Sequence, residues 1–293
     1  MALLSTDFIA KLSTMELRAK TIVEGFIIGM HKSPYHGFSV EFAEYRPYMP
    51  GDPIKEIDWR VFGRTDRLYI KKHEEETNLK AYILLDKSSS MAFGTSAMTK
   101  LEYGASLASA LSYLMIKQKD AVGLLLFDKV AVDYLPPSAT RLRLFEILSR
   151  LEKLKPSGET NIKVALDSVA KGLRRRSLII LISDFLDDTS KVLSSLKWFT
   201  YAKNDVIAFH IIDPAERNFG YRRELIFEDL ETRKRIQTQP WMIRKSYKQA
   251  TEDFIGTLKY SLRESGIDYV QLQTDTPFEL ALLSYLYRRA RLY

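Results

Sequence analysis

Two rhythms of apolar and polar positions meet near residue 78. Between Asp7 and Met30 the apolar residues Phe8, Leu12, Met15, Ile22, Val23 and Phe26 recur mostly at helical spacing, which predicts a helix. An aromatic stretch from His31 to Pro53 follows, broken by Pro34, Gly37, Pro47, Pro50, Gly51 and Pro53; it allows loops and short strands but no long helix. Leu68–Lys72 then reads as a short strand. Residues 1–77 are expected to form a small appended module of helix, loops and short strands.

From Leu79 onward strand-sized apolar runs alternate with amphipathic segments. Strands are predicted at Leu79–Leu85, Asp120–Phe127, Leu178–Ile182, Asp205–Ile212 and Asp268–Leu272, with Val130–Leu135 as a hairpin partner of the second. Helices are predicted at Lys100–Lys117, Thr140–Leu154, Asn161–Leu173, Ser190–Tyr201, Arg244–Glu264 and Phe278–Arg289. Glu224–Phe227 and Lys234–Thr238 suggest a hairpin inserted at one edge, near 224–238. Such alternation implies an α/β domain over residues 78–293: an open, mainly parallel, Rossmann-like sheet with helices on both faces.

Composition narrows the chemistry. The 293 residues are 46% hydrophobic, enough for a sizeable core, and contain no cysteine, which excludes disulfides, thiolate metal sites and cysteine nucleophiles. The start, Met1-Ala-Leu-Leu-Ser-Thr-Asp-Phe, lacks a signal-peptide pattern, and the longest apolar runs are strand-sized, so a soluble, cytoplasmic protein is expected. The net charge of +7 permits an acidic partner, but the basic residues are scattered. Arg174-Arg175-Arg176 and Arg288-Arg289 fall at helix ends, where cations suit the dipole; no nucleic-acid signature accompanies them, and no nucleic-acid partner is expected. The aromatics Tyr35, Phe38, Phe42, Tyr45, Tyr48 and Trp59 read as a small core under the loop-rich module, with Asp52, Asp58 and Arg60 anchoring it.

The densest chemistry lies at Ala81-Tyr-Ile-Leu-Leu-Asp86-Lys-Ser88-Ser-Ser90, where a buried strand ends in a carboxylate and two hydroxyls at alternate positions. Asp and Ser there serve equally as helix caps. Two further loops carry oxygen donors where strands and helices leave the sheet: Ser157-Gly-Glu-Thr160-Asn161 and Ser183-Asp184. In open α/β sheets ligands bind outside the carboxyl ends of the strands. Oxygen donors alone suit a hard divalent cation, Mg²⁺ above all, with Mn²⁺ or Ca²⁺ as substitutes.

The set Asp86-x-Ser88-x-Ser90, then Thr160, then Asp184 resembles the metal-ion-dependent adhesion site (MIDAS) of von Willebrand factor A domains at all five positions. Upstream, Gly37-Phe-Ser-Val-Glu-Phe, Tyr45-Arg-Pro-Tyr, Pro50-Gly-Asp-Pro and Ile57-Asp-Trp-Arg are similar to a bacterial family called "domain of unknown function 58", over most of the chain from about residue 20. The resemblance implies a von Willebrand A-like fold and a non-enzymatic, chaperone-like protein-binding role. In that role a divalent ion is presented to an acidic residue of a partner. It implies as partners a MoxR-type AAA+ ATPase and a client protein, with a peripheral membrane protein as a further candidate. It also implies coupling between partner exchange and movement of the last helix. Many A domains have Gly-Gly before the Thr; this chain has Gly158-Glu159, and Glu159 is expected to face solvent.

Two rival classes are weaker. A Mg²⁺-dependent phosphohydrolase would use Asp86 as nucleophile, but such enzymes resemble Asp-x-Asp and Ser88 stands at the second position. A basic scaffold binding nucleic acid or membrane lipid would show steep salt dependence. No P-loop, Gly-x-Ser-x-Gly or His-Glu-x-x-His occurs; of His31, His36, His73 and His210, His73 lies in a charged segment expected to be solvated.

Overall fold

Four predicted strands, at Leu79–Leu85, Asp120–Phe127, Leu178–Ile182 and Asp205–Ile212, form the middle of one sheet because each is apolar on both faces. A computed structural model describes residues 5–31, 45–49, 54, 57, 59–71, 79–129, 132–159, 161–170, 176–187, 189–221, 223–230 and 234–290. In chain order the described elements open with α1 (Thr6–Ala10), α2 (Met15–His31), β1 (Tyr45–Pro47), α3 (Trp59–Thr65) and β2 (Tyr69–Lys71). They continue with β3 (Lys80–Asp86), α4 (Lys100–Lys117), β4 (Ala121–Phe127), β5 (Val132–Ser138), α5 (Arg141–Glu152), α6 (Ile162–Ala170), β6 (Leu178–Ser183) and α7 (Thr189–Tyr201). The last are β7 (Asp205–Ile212), α8 (Pro214–Asn218), β8 (Leu225–Glu228), β9 (Arg235–Thr238), α9 (Pro240–Glu264), β10 (Asp268–Gln273) and α10 (Glu279–Ala290).

Six strands pair in the order β10-β7-β6-β3-β4-β5, all parallel except the β4–β5 hairpin. The order reverses direction between β3 and β6, so the exits of these two strands flank the switch point where doubly wound sheets bind ligands. Antiparallel β5 closes one edge and carries Pro136-Pro137, which an edge strand tolerates.

Side-chain alternation splits the interior in two. Ala81, Ile83 and Leu85 of β3 face a core shared with α2, α4, α5 and α10; Tyr82 and Leu84 face one shared with α6, α7 and α9. Helix α4 is buried nearly all round, which its sequence permits in two ways. Ser106, Ser109 and Ser112 return their hydroxyls to the carbonyls of Glu102, Ala105 and Ala108 at 2.7–2.8 Å, so no polar group is stranded. Gly104 lets the helix come close to the strands, since a Cβ there would meet Leu85 Cδ1 at 3.0 Å and Ile182 Cγ2 at 3.3 Å.

The N-terminal helical segment forms two helices, because Ser5 and Thr14 each accept a backbone N–H three residues on and start a helix. Arg18 fixes the break by donating to the carbonyls of Ala10 (2.9 Å) and Leu12 (3.1 Å). Helix α2 buries Ile22, Val23 and Phe26 in the same core as α4 and α10. The boundary near residue 77 lies outside the described residues, as do Tyr35, His36, Phe38, Phe42, Asp52, Asp58 and His73.

Besides the split N-terminal helix, helices α3 and α8 depart from the sequence expectation. Helix α8 was not anticipated: Asp213 and Glu216 form a capping box around Pro214, a one-turn signal too short to show periodicity. The β8–β9 hairpin forms at the expected place, as a two-stranded sheet of its own. Among the described residues no helix is long and apolar enough to cross a membrane.

Candidate functional site

Strand β3 delivers Asp86 to the carboxyl edge of the sheet with no exposure to solvent, and the chain turns there into a 3-10 turn at Ser89–Ala92. One carboxylate oxygen of Asp86 accepts the Ser88 N–H at 2.9 Å, the other the Ser183 hydroxyl at 2.7 Å. Alternation brings Ser88 and Ser90 to the same side, their hydroxyls 3.0 Å apart. Asp184 leaves β6 immediately after Ser183, near enough to Ser90 for that side chain to favour its charged form. Asp86, Ser88, Ser90 and Asp184 therefore come together at the switch point, whereas Thr160 lies outside the described residues.

Asp184 is held by a tight turn. Phe185 adopts φ 57°, a strained value for a bulky residue, and its N–H bonds the Ser183 hydroxyl at 2.9 Å. Its buried ring meets the edge of His210 at 5.4 Å between centroids. His210 is buried and paired through Nδ1 with the Tyr269 hydroxyl at 2.7 Å; burial pushes its pKa down to about 4, so it is a neutral packing residue.

Three charged residues at the site escaped the sequence reading of its chemistry. Lys100, the first residue of α4, is 1% exposed and places its ammonium 2.8 Å from Asp184 Oδ2 and 2.7 Å from Glu216 Oε1. Its burial opposes the charge, yet the two carboxylates outweigh that and raise its pKa. Burial likewise opposes the Asp184 carboxylate, but Lys100 and hydrogen bonds from Ser90 and Leu186 hold it below its ordinary range. Asp86 has no such cation: burial first, then the negative charge of Asp184, pushes it up to about 7. Glu216 comes from α8, where its second oxygen accepts the Asp213 N–H at 3.0 Å. Asp213, at the exit of β7, accepts Thr95 N–H at 2.8 Å, Thr95 Oγ1 at 2.5 Å and Thr274 Oγ1 at 3.2 Å, which ties the segment before α4 to the exits of β7 and β10.

The second loop packs on the other flank. The Ser157 N–H donates to the Lys87 carbonyl at 2.8 Å, and the Ser89 N–H to the Gly158 carbonyl at 2.9 Å. Lys87 Nζ, Asp128 and the Ser157 hydroxyl close a polar triangle of 2.9–3.1 Å. Gly158 adopts φ 69°, which suits glycine at this turn. Glu159 faces outward and pairs with exposed Lys129. At the opposite end of the molecule Arg288 bridges Asp205 (2.8 Å) and Asp268 (3.1 Å), so this helix-end cation is committed to the fold.

Among the described residues no three His, Cys, Asp or Glu side chains gather as a metal-binding group. The donors here are two carboxylates and two hydroxyls, with Lys100 already on one carboxylate.

Comparison with known proteins bears on both fold and family. The uncharacterized protein Rv1480 of Mycobacterium tuberculosis (strain ATCC 25618 / H37Rv) is 24% identical over 289 residues, covering 96% of this chain and 90% of the relative. An uncharacterized Mycobacterium bovis protein, Mb1516, matches with the same figures. Among solved structures, the conserved hypothetical protein BatB from Bacteroides thetaiotaomicron superposes with a TM-score of 0.51 at 16% identity, covering 73% of this chain and all of that one. The sheet order and this likeness give the fold as von Willebrand A-like. Residues 44–254 match the family described as "Protein of unknown function DUF58", and the chain belongs to that family.

Proposed function

We propose that this protein is a non-enzymatic, cytoplasmic binding module that holds a divalent cation, Mg²⁺ first among them, on Asp86, Ser88, Ser90, Thr160 and Asp184 and presents it to an acidic side chain of a protein partner. One observation carries the reading: buried Asp86, Ser88 and Asp184 and half-buried Ser90, at the exits of β3 and β6, converge at the switch point of the sheet. The donor set is all oxygen, which fits a hard ion and not a soft one. The Lys100 ammonium against Asp184 is a stand-in that supports the fit, since this end of the site already favours positive charge. When bound, the ion supplies Lewis acidity toward a carboxylate. Asp86 and Asp184 supply charge, while Ser88 and Ser90 supply neutral donors that leave part of the ion's charge for a partner. The partners we propose are a MoxR-type AAA+ ATPase and a client that the pair matures.

Thermal unfolding with Mg²⁺, Mn²⁺ or chelator, on wild type and Asp86→Ala, tests the site. At a hundred times its dissociation constant an ion adds about 2.7 kcal/mol, and the expected result is an upward shift lost in the variant. No shift for wild type with either metal would sink the ion-presenting reading.

A further inference from the structure

We infer that Lys100 is a built-in cation of this site, and that a divalent ion binds only by displacing its ammonium from Asp184 onto Glu216. The inference rests on the ion site proposed above and concerns its regulation.

Lysine is a costly choice at this place. A cation at the first position of a helix faces the positive end of the dipole, and a buried ammonium loses its hydration. Nothing about starting α4 requires it, since Thr99 and Glu102 already cap the helix reciprocally. What the ammonium gains is two carboxylates, Asp184 Oδ2 at 2.8 Å and Glu216 Oε1 at 2.7 Å. With Oδ2 so engaged and Oδ1 accepting the Leu186 N–H at 3.2 Å, both oxygens of Asp184 are in use. A divalent ion drawing on Asp184 would sit beside a second cation, and the two repel at that range.

The second carboxylate offers the way out. Glu216 is 25% exposed, and with Ser90, Phe93 and Leu186 it lines a cavity of about 270 Å³. Ser90 belongs to the ion's donor set and Glu216 to the lysine's, so one opening serves both. Lysine's flexible four-carbon stem lets the ammonium withdraw toward Glu216 without moving α4. Lys100 thus balances charge when no ion is present and lowers the ion's apparent affinity by the fraction of molecules in which Asp184 is free. A lysine-closed population of about 90–99% raises the apparent dissociation constant about 10- to 100-fold.

The test is Mn²⁺ titration by calorimetry on wild type, Lys100→Met, Glu216→Gln, the double variant Lys100→Met/Glu216→Gln, and Asp86→Ala. Lys100→Met should bind Mn²⁺ about 10- to 100-fold tighter than wild type. Glu216→Gln, which removes the lysine's alternative seat, should bind more weakly than wild type. Charge repulsion without movement gives the same two signs, so the double variant decides: its net charge equals that of wild type, displacement makes it bind tighter than wild type, and charge alone leaves the two equal. If Lys100→Met does not fold, Lys100→Gln, whose neutral amide can still donate to Asp184, replaces it alone and together with Glu216→Gln, and the same tightening is expected. Equal affinity with and without Lys100, in a protein whose binding Asp86→Ala abolishes, overturns the displacement and leaves the ion site standing. Absence of Mn²⁺ binding in every variant overturns both.

Discussion

Removing the Lys100 ammonium in chelator is the sharpest energetic test of the buried rim. Lys100 and Asp184 are 1% and 2% exposed, so Lys100→Met leaves the Asp184 carboxylate in the interior without its cation. Breaking a buried ion pair from one side costs about 3–5 kcal/mol, because the orphaned charge keeps its desolvation penalty. Glu216 adds less, since at 25% exposure it recovers part of its hydration. The expected loss is therefore about 3–5 kcal/mol, from a total of about 5–15 kcal/mol for a typical domain. Urea unfolding in EDTA at neutral pH reads it directly. Lys100→Met/Asp184→Asn should recover at least about 2 kcal/mol, since the orphan charge is gone. A Lys100→Met loss below about 1 kcal/mol, the range of a solvent-exposed pair, would refute the claim that the ammonium is desolvated.

Other perturbations test separate parts of the structure. Phe26→Ala empties a site that is 2% exposed between α2 and the main core; it should cost about 3–5 kcal/mol in urea unfolding, and a loss under about 1 kcal/mol would detach α2 from that core. Asp213→Ala strands Thr95 and Thr274 donors and should cost about 2–3 kcal/mol, with faster amide exchange confined first to residues 93–99; unchanged exchange there would contradict the tether. Asp86, pushed up to about 7 in the folded protein, binds its proton more tightly there than in the unfolded chain. Its contribution is therefore full below the ordinary carboxylate range and lost as pH rises toward 7. In chelator, wild type should lose stability relative to Asp86→Asn between about pH 4 and 7, and parallel curves would show that Asp86 is not buried in its charged form.

Most of the sheet was legible because its strands are apolar on both faces and its helices alternate between them. Asp205–Ile212 and Lys100–Lys117 match the expected bounds residue for residue, the first bracketed by Asp205 and Asp213, the second by the Thr99 cap and Gln118. The expected single N-terminal helix became two because one-turn capping by Thr14 and the reach of Arg18 outweigh a periodicity that is only approximate there. Helix α8 escaped because five residues cannot display a helical period, although Asp213-Pro-Ala-Glu216 carries the capping-box signal that identifies it in hindsight. The hairpin was visible as two short β-type runs, but pairing partners depend on packing: Phe219 stacks on Phe227 and Tyr247 with centroids 5.5 and 4.1 Å apart, drawing the hairpin toward α9.

The site shows a sharper divide between what spacing encodes and what only topology can bring together. Asp86, Ser88 and Ser90 share a side because they alternate along one strand exit, a relation local enough to read from the chain. Asp184 follows from the neighbouring strand once the switch point is recognised. Lys100 obeys neither logic. It opens a well-formed helix with ordinary caps, and a lysine there reads as a solvated side chain. Its burial is decided 84 and 116 residues away, by carboxylates on the exits of β6 and β7. A residue whose charge only makes sense against two distant partners leaves no periodic trace. Yet it sets the electrostatics of the rim: Asp184 is held ionised by Lys100, while Asp86, with no cation beside it, is pushed the other way. The two carboxylates that the motif treats as equivalent are thus unequal before any ion arrives, and the inequality originates in the one basic residue the motif omits.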